Sequence, residues 1–206
     1  MLKKMQKEDP RIVRTRQLLK DALVELIHER GYEKIKVQDI TERATLNRAT
    51  FYLHYRDKFD LLCQSSEEIL NGLINSLNSS LEEKEENDFL NDQPHRTFVQ
   101  MFEHISSNSQ LFKVFLTEKN MPHFTSQMLD VIVDFVSKGM NRMQPDDQKL
   151  TVPREIAVRY ISSAFLGVIS WWLENDMPYT PRYMARLLRE LAVKGPYIEN
   201  PFKINL

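Results

Sequence analysis

Between Asn47 and Lys58 the chain carries a set of side chains able to grip a polyanion and read its surface: Asn47, Arg48, Thr50, Tyr52, His54 and Lys58. An arginine is a donor to a guanine edge or to a phosphate, and a threonine can meet a thymine methyl or a backbone oxygen. A lysine at the start of a helix adds its charge to the free amides there, and together they could hold a phosphate. Tyr52 and His54 admit two readings, as donors to phosphate or as ordinary partly buried aromatics. To work on a duplex, such residues must sit at the N-terminal end of a short helix laid in the major groove, with a preceding helix braced across the backbone. The run from Lys36 to Tyr55 can be built that way. Val37, Ile40, Ala44, Leu46, Phe51 and Tyr55 would pack inward, leaving Asn47, Arg48, Ala49, Thr50, Tyr52 and His54 on exposed or flanking surfaces.

The elements that must position these residues follow from apolar spacing. Leu19, Ala22, Leu23, Leu26 and Ile27 form a one-sided stripe that predicts a helix from Arg11 to Arg30, ended by Gly31. Two short helices follow, Val37 to Ala44 and Arg48 to Tyr55, separated by Thr45, Leu46 and Asn47, with Asn47 as the N-cap of the second. Lys58 to about Leu81 reads as one long helix connecting this head to the rest. The acidic stretch from Glu82 to Asp92, closed by Pro94, reads as a solvated loop or frayed helix end. Beyond it, His95 to Ile105, Gln110 to Thr117, His123 to Met143, Pro153 to Glu174 and Pro181 to Lys194 are helices punctuated by prolines. The result is an all-α chain of about nine helices, with no convincing alternating strand.

Composition narrows the function. The 206 residues are 42% apolar and 28% charged, close to the globular average. Only five glycines occur, too few and too scattered for a glycine-rich phosphate loop. The formal charge of −1 divides unevenly: residues 1–60 hold 14 Lys/Arg against 10 Asp/Glu, a net of +4, which leaves the remainder at −5. A basic head suits a polyanion. The single cysteine, Cys63, excludes an internal disulfide and points to a reducing cytoplasm; it reads as a small core residue. No signal peptide and no run of about 18 apolar residues able to span a bilayer is expected. His28, His95, His104 and His123 lie singly, without metal-ligand spacing, and no Ser/His/Asp grouping stands out. No catalytic residue, metal or cofactor is therefore expected, and the chain does not read as an enzyme.

Gly31-Tyr32, Asp39-Ile40, Ala44 and above all Arg48-Ala-Thr-Phe-Tyr-Leu-His-Tyr-Arg-Asp-Lys-Phe-Asp-Leu-Leu62 resemble the DNA-binding domain of the TetR/AcrR family of bacterial transcriptional regulators. The likeness covers roughly residues 11–62. It implies an N-terminal three-helix helix-turn-helix domain over 1–56, followed by a helical effector-binding and dimerisation domain over 57–206. It also implies a DNA-binding set of Gln38, Asn47, Arg48, Ala49, Thr50, Tyr52, His54 and Lys58, with Tyr52, His54 and Lys58 mostly on phosphates. The chain departs from the family pattern twice. Lys36 stands where a Ser or Thr caps the first short helix, so Asp39 must cap it instead. Thr45 stands where the turn usually has glycine, and a positive φ there would cost roughly 1 kcal/mol.

The C-terminal helices suggest a twofold partner. Tyr160, Ala164, Val168 and Trp171, with Met184, Leu187, Leu188 and Leu191, recur at helical spacing and could pair with their copies in a four-helix bundle; alternatively they fill the chain's own core. A homodimer would offer two reading helices to an inverted-repeat operator in double-stranded DNA. Between head and bundle lie many Phe and Met residues that can fill a core or line an adaptable pocket. Phe102, Phe115, Met128, Phe135, Phe165 and Trp172 are the expected ligand-lining residues. The likeness to TetR regulators implies a cytoplasmic repressor, released when an effector binds the body. The stretch Gly167 to Pro181 resembles a branch of the family found in low-GC Gram-positive bacteria, in which the signal can be another protein, so both signals stay open.

Overall fold

The computed structural model describes residues 9–82, 96–117 and 122–196. The acidic run from Glu83, together with Pro94 and His95, lies outside the described residues. Among the described residues the regular elements are nine α-helices and two single 3₁₀ turns, with no strand. The chain divides into two compact units, residues 1–69 and 70–206.

In the first unit, α1 (Pro10–Arg30) begins with proline, whose missing N–H is one of the amides a helix start leaves unpaired. The Asp9 carboxylate accepts from the Arg11 amide at 2.9 Å. Gly31 ends the helix at φ +76°, and its N–H donates to the Ile27 carbonyl. One 3₁₀ turn (Tyr32–Lys34) leads to α2 (Val37–Arg43), then α3 (Arg48–His54) and α4 (Lys58–Glu82). Leu19, Leu23, Ile40, Phe51, Tyr55, Leu61 and Leu62 form the core. Arg43 on α2 forks onto Glu25 and Glu29 of α1 at 2.9 and 2.7 Å, fixing the outer side of the helix pair.

The boundary between the units falls inside α4, later than the break after residue 56 expected from the sequence. The reason is burial: Leu61, Leu62, Ser65, Ser66 and Ile69 are buried, and Lys20 of α1 reaches Glu68 at 2.6 Å. The Ser65 hydroxyl donates back to the Leu61 carbonyl and that of Ser66 to Cys63, so neither is left unpaired.

The second unit contains the rest of α4 with α5 (Arg96–Ser107), α6 (Ser109–Thr117), α7 (Pro122–Met143), α8 (Arg154–Glu174) and α9 (Pro181–Lys194). Helix α8 packs on α7 and α6, and α9 packs on α5. Pro153 sits one residue ahead of α8 rather than opening it, its carbonyl accepting from Ile156 and Ala157. By length and composition α8 could cross a membrane, which corrects the sequence expectation. Part of its apolar surface is used inward: Phe165, Ile169 and Trp172 are buried, and the indole N–H of Trp172 donates to the Tyr179 carbonyl at 2.9 Å.

Candidate nucleic-acid interface

Helix α3 starts where the sequence places it because Asn47 supplies the cap: its Oδ1 accepts from the Ala49 amide at 2.9 Å. The turn before it requires Thr45 at φ +56°, the left-handed conformation anticipated from the missing glycine. Helix α2 likewise lacks a side-chain acceptor at Lys36. The Asp39 carboxylate replaces it, accepting from the Lys36 amide at 2.7 Å, and Arg30 stands 3.2 Å away. That hydrogen bond from the Lys36 N–H, with help from Arg30, holds the Asp39 carboxyl below the usual carboxylate range.

Phe51 and Tyr55 anchor α3 from beneath, their rings 5.7 Å apart. Above them, Arg48 donates to the Tyr52 hydroxyl at 3.1 Å, and its guanidinium lies 5.6 Å from the Tyr52 ring centre. Both residues are exposed and so form one polar unit on the outer side of the helix. Ala49 is exposed; Thr50 and His54 are half-buried on the flanks. One short helix thus carries Arg48, Ala49, Thr50, Tyr52 and His54 with Asn47 at its head. Gln38 stands apart, exposed on α2, its amide donating to Glu42 at 2.8 Å.

Lys58 makes contacts within its own unit. Its ammonium donates to the Tyr32 and Glu33 carbonyls at 3.0 and 3.3 Å and lies 4.3 Å from the Tyr32 ring centre. The α4 amides expected to help it are also occupied, because Asp57 Oδ1 accepts from both Phe59 and Asp60 at 2.8 Å. A neighbouring carboxylate satisfies the helix start more cheaply than an external anion would. Buried beneath the lysine, the Tyr32 phenol is pushed up to about 12 by desolvation. Arg56, in the α3–α4 turn at a position where the family pattern fixes no residue, has an 87% exposed side chain whose guanidinium lies 3.4 Å from the Asp60 carboxylate.

In the second unit Phe102, Phe115, Met128, Phe165 and Trp172 are buried and Phe135 is half-buried. Phe102 lies 5.4 Å from Trp172, ring centre to ring centre, and Phe98 bridges two others, 4.8 Å from Phe135 and 5.4 Å from Phe165. Of the residues expected at a dimer interface, Met184 and Leu188 are buried and Leu187 half-buried on α9, which packs on α5, and Val168 is half-buried on α8. Tyr160, Ala164, Trp171 and Leu191 are exposed.

A capped short helix with an exposed Arg48–Tyr52 pair, following a second short helix across a tight turn, defines a helix-turn-helix DNA-binding protein with a separate helical body. Comparison with known proteins agrees. Residues 19–63 match the model described as bacterial regulatory proteins, tetR family, and residues 92–194 match a transcriptional regulator C-terminal region of TetR type. The chain belongs to the TetR family of transcriptional regulators, which bind DNA and are not enzymes.

The chain is 25% identical over 188 residues to the uncharacterized HTH-type transcriptional regulator YxbF of Bacillus subtilis (strain 168). That alignment covers 90% of this chain but 47% of YxbF, so the chain spans about half the length of that relative. Two solved structures share the fold. The fatty acid degradation regulator FadR from Bacillus halodurans superposes with a TM-score of 0.68 at 18% identity, over 92% of this chain and 98% of that one. FadR from Bacillus subtilis in complex with stearoyl-CoA superposes with a TM-score of 0.64 at 19% identity, over 88% and 99% respectively.

Proposed function

We propose that this chain is a cytoplasmic, homodimeric repressor that binds an inverted-repeat operator through α3 and leaves it when an effector occupies the helical body. The observation that carries the DNA-reading part is the Arg48–Tyr52 pair, held on the outer side of a helix whose inner side is buried. Arg48 reads a guanine edge, Thr50 a thymine methyl or backbone oxygen, and Tyr52 and His54 hold phosphates. Exposed Tyr160, Ala164, Trp171 and Leu191, on α8 and α9, form the surface offered to a second copy. The effector is a molecule with an apolar portion that is taken up among the Phe and Trp rings of the body. The stearoyl-CoA in the Bacillus subtilis FadR complex makes a long-chain acyl-CoA the first candidate to try. It would release DNA only to the extent that it binds the released conformation more tightly than the DNA-bound one.

The test is a footprint on the DNA flanking the protein's own gene, followed by titration with salt and with stearoyl-CoA. The reading expects protection of a short inverted repeat, affinity that falls steeply as salt rises, and release by the acyl-CoA. Equal affinity for the flanking DNA and for a random duplex would sink it. Protection that no acyl-CoA disturbs, with a protein co-purifying at stoichiometric amount, would instead favour a protein signal.

A further inference from the structure

Around α3, at about 100° per residue, Ala49 and Leu53 fall some 160° and 200° from Phe51. Phe51 is fully buried, so these two residues form the ridge opposite the core, flanked by Tyr52 on one side and Thr50 on the other. The middle of the outward face is therefore apolar. Leu53 is 81% exposed, the largest exposure of any big apolar side chain among the described residues. No packing role within its own unit accounts for it.

The polar surroundings select the partner. Arg48 and Tyr52 form their exposed pair beside this ridge, and just beyond the helix stands the exposed Arg56 side chain, 3.4 Å from the Asp60 carboxylate. A face with cationic and hydroxyl groups around an apolar ridge matches a DNA major groove, whose floor carries hydrogen-bonding edges and one kind of apolar group, the C5-methyl of thymine. We infer that Leu53 is a specificity-determining residue that packs on a thymine methyl in each half-site, with Ala49 beside it and Arg48 on the neighbouring base or phosphate. This rests on the reading of α3 as the DNA-reading helix. It makes Leu53 a reader of A·T pairs at a position where hydrogen bonding alone would leave the helix indifferent.

The experiment uses the full-length chain and a duplex enriched by the wild-type protein from a random-sequence pool. Each thymine in that duplex is replaced singly by deoxyuridine, which removes only the methyl. One position per half-site is expected at which the replacement weakens wild-type binding roughly fourfold, the scale of one buried methyl-sized group. Leu53→Ala is expected to give the wild-type circular dichroism spectrum, because the side chain is exposed. It is expected to bind the thymine duplex about as weakly as the wild type binds the deoxyuridine one, and to be insensitive to the same replacement. Uniform wild-type binding to all deoxyuridine duplexes would overturn the assignment. So would a Leu53→Ala variant that keeps the full sensitivity, which would leave Leu53 as a contact for something other than DNA. Failure of the wild type to enrich any duplex would overturn the DNA-reading assignment of α3 as well.

Discussion

Arg48 shows how much a single side chain decides. Its guanidinium is steadied by Tyr52 at 3.1 Å and otherwise faces solvent. Arg48→Ala is expected to weaken specific DNA binding by about 1–3 kcal/mol with no loss of fold, as read by fluorescence anisotropy on the enriched duplex. An unchanged affinity would remove Arg48 from the reading set. Thr45 carries the opposite kind of effect. Its φ of +56° is strained for a residue with a Cβ, so Thr45→Gly should raise stability by roughly 1 kcal/mol, visible as a higher thermal midpoint. Tyr32 contributes to the response to alkali. Its folded-state phenol, pushed up to about 12, keeps its proton when the unfolded chain's phenol begins to lose one near 10. The contribution is fully present below about pH 10 and is lost as pH rises towards 12. Urea midpoints measured from pH 9 to 12 should fall less steeply in Tyr32→Phe than in the wild type.

At the scale of elements, caps govern the reading helix. With only seven residues, α3 cannot hold itself together and depends on Asn47 and on Phe51 beneath it. Asn47→Ala should cost about 1 kcal/mol of stability and also loosen DNA binding, whereas Asn47→Asp should keep the cap and the stability. Acid acts on the same class of contact. The Asp39 carboxyl is held low by the Lys36 amide, and that of Asp60 by the Arg56 amide. Depressed carboxyls contribute above their ordinary range and lose that contribution as pH falls through their folded-state values. The starts of α2 and α4 should therefore loosen first on acidification, measurable as faster amide exchange there. These ends were legible in the sequence. Gly31 marks the end of α1, Asn47 the start of α3, and Asp39 the only acceptor available to α2, since each is a local requirement met by one residue type. The fate of Lys58 was not legible, because its partners are carbonyls at residues 32 and 33, far away along the chain.

At the scale of the whole molecule, the exposed apolar side chains of α8 bear on assembly. Tyr160, 75% exposed, lies with Ile156 and Trp171 on the part of α8 that the chain leaves uncovered. If this surface pairs with its copy, Tyr160→Arg should yield a monomer by sedimentation velocity. Operator affinity should fall by more than tenfold, because the two half-sites would no longer be gripped together. A variant that stays dimeric would move the interface elsewhere. The aromatic body was legible as composition but not as arrangement. Phe and Met at helical spacing serve a core and a pocket equally well, and only the packed rings show which neighbours they meet.

The sequence by itself determined most of the helices among the described residues, the end of α1, the starts of α2 and α3 and the turn geometry at Thr45. All of these follow from short-range rules of periodicity, capping and backbone conformation. Tertiary structure decided which apolar stripes are consumed within the chain. Met184 and Leu188 are taken up against α5 while Tyr160 and Leu53 are left facing water. It also moved the boundary of the head into α4 and turned Lys58 onto its own backbone. The physical reason is that burial is a property of pairs of surfaces brought together over long sequence separations, and the spacing along one helix cannot say which face finds its partner first.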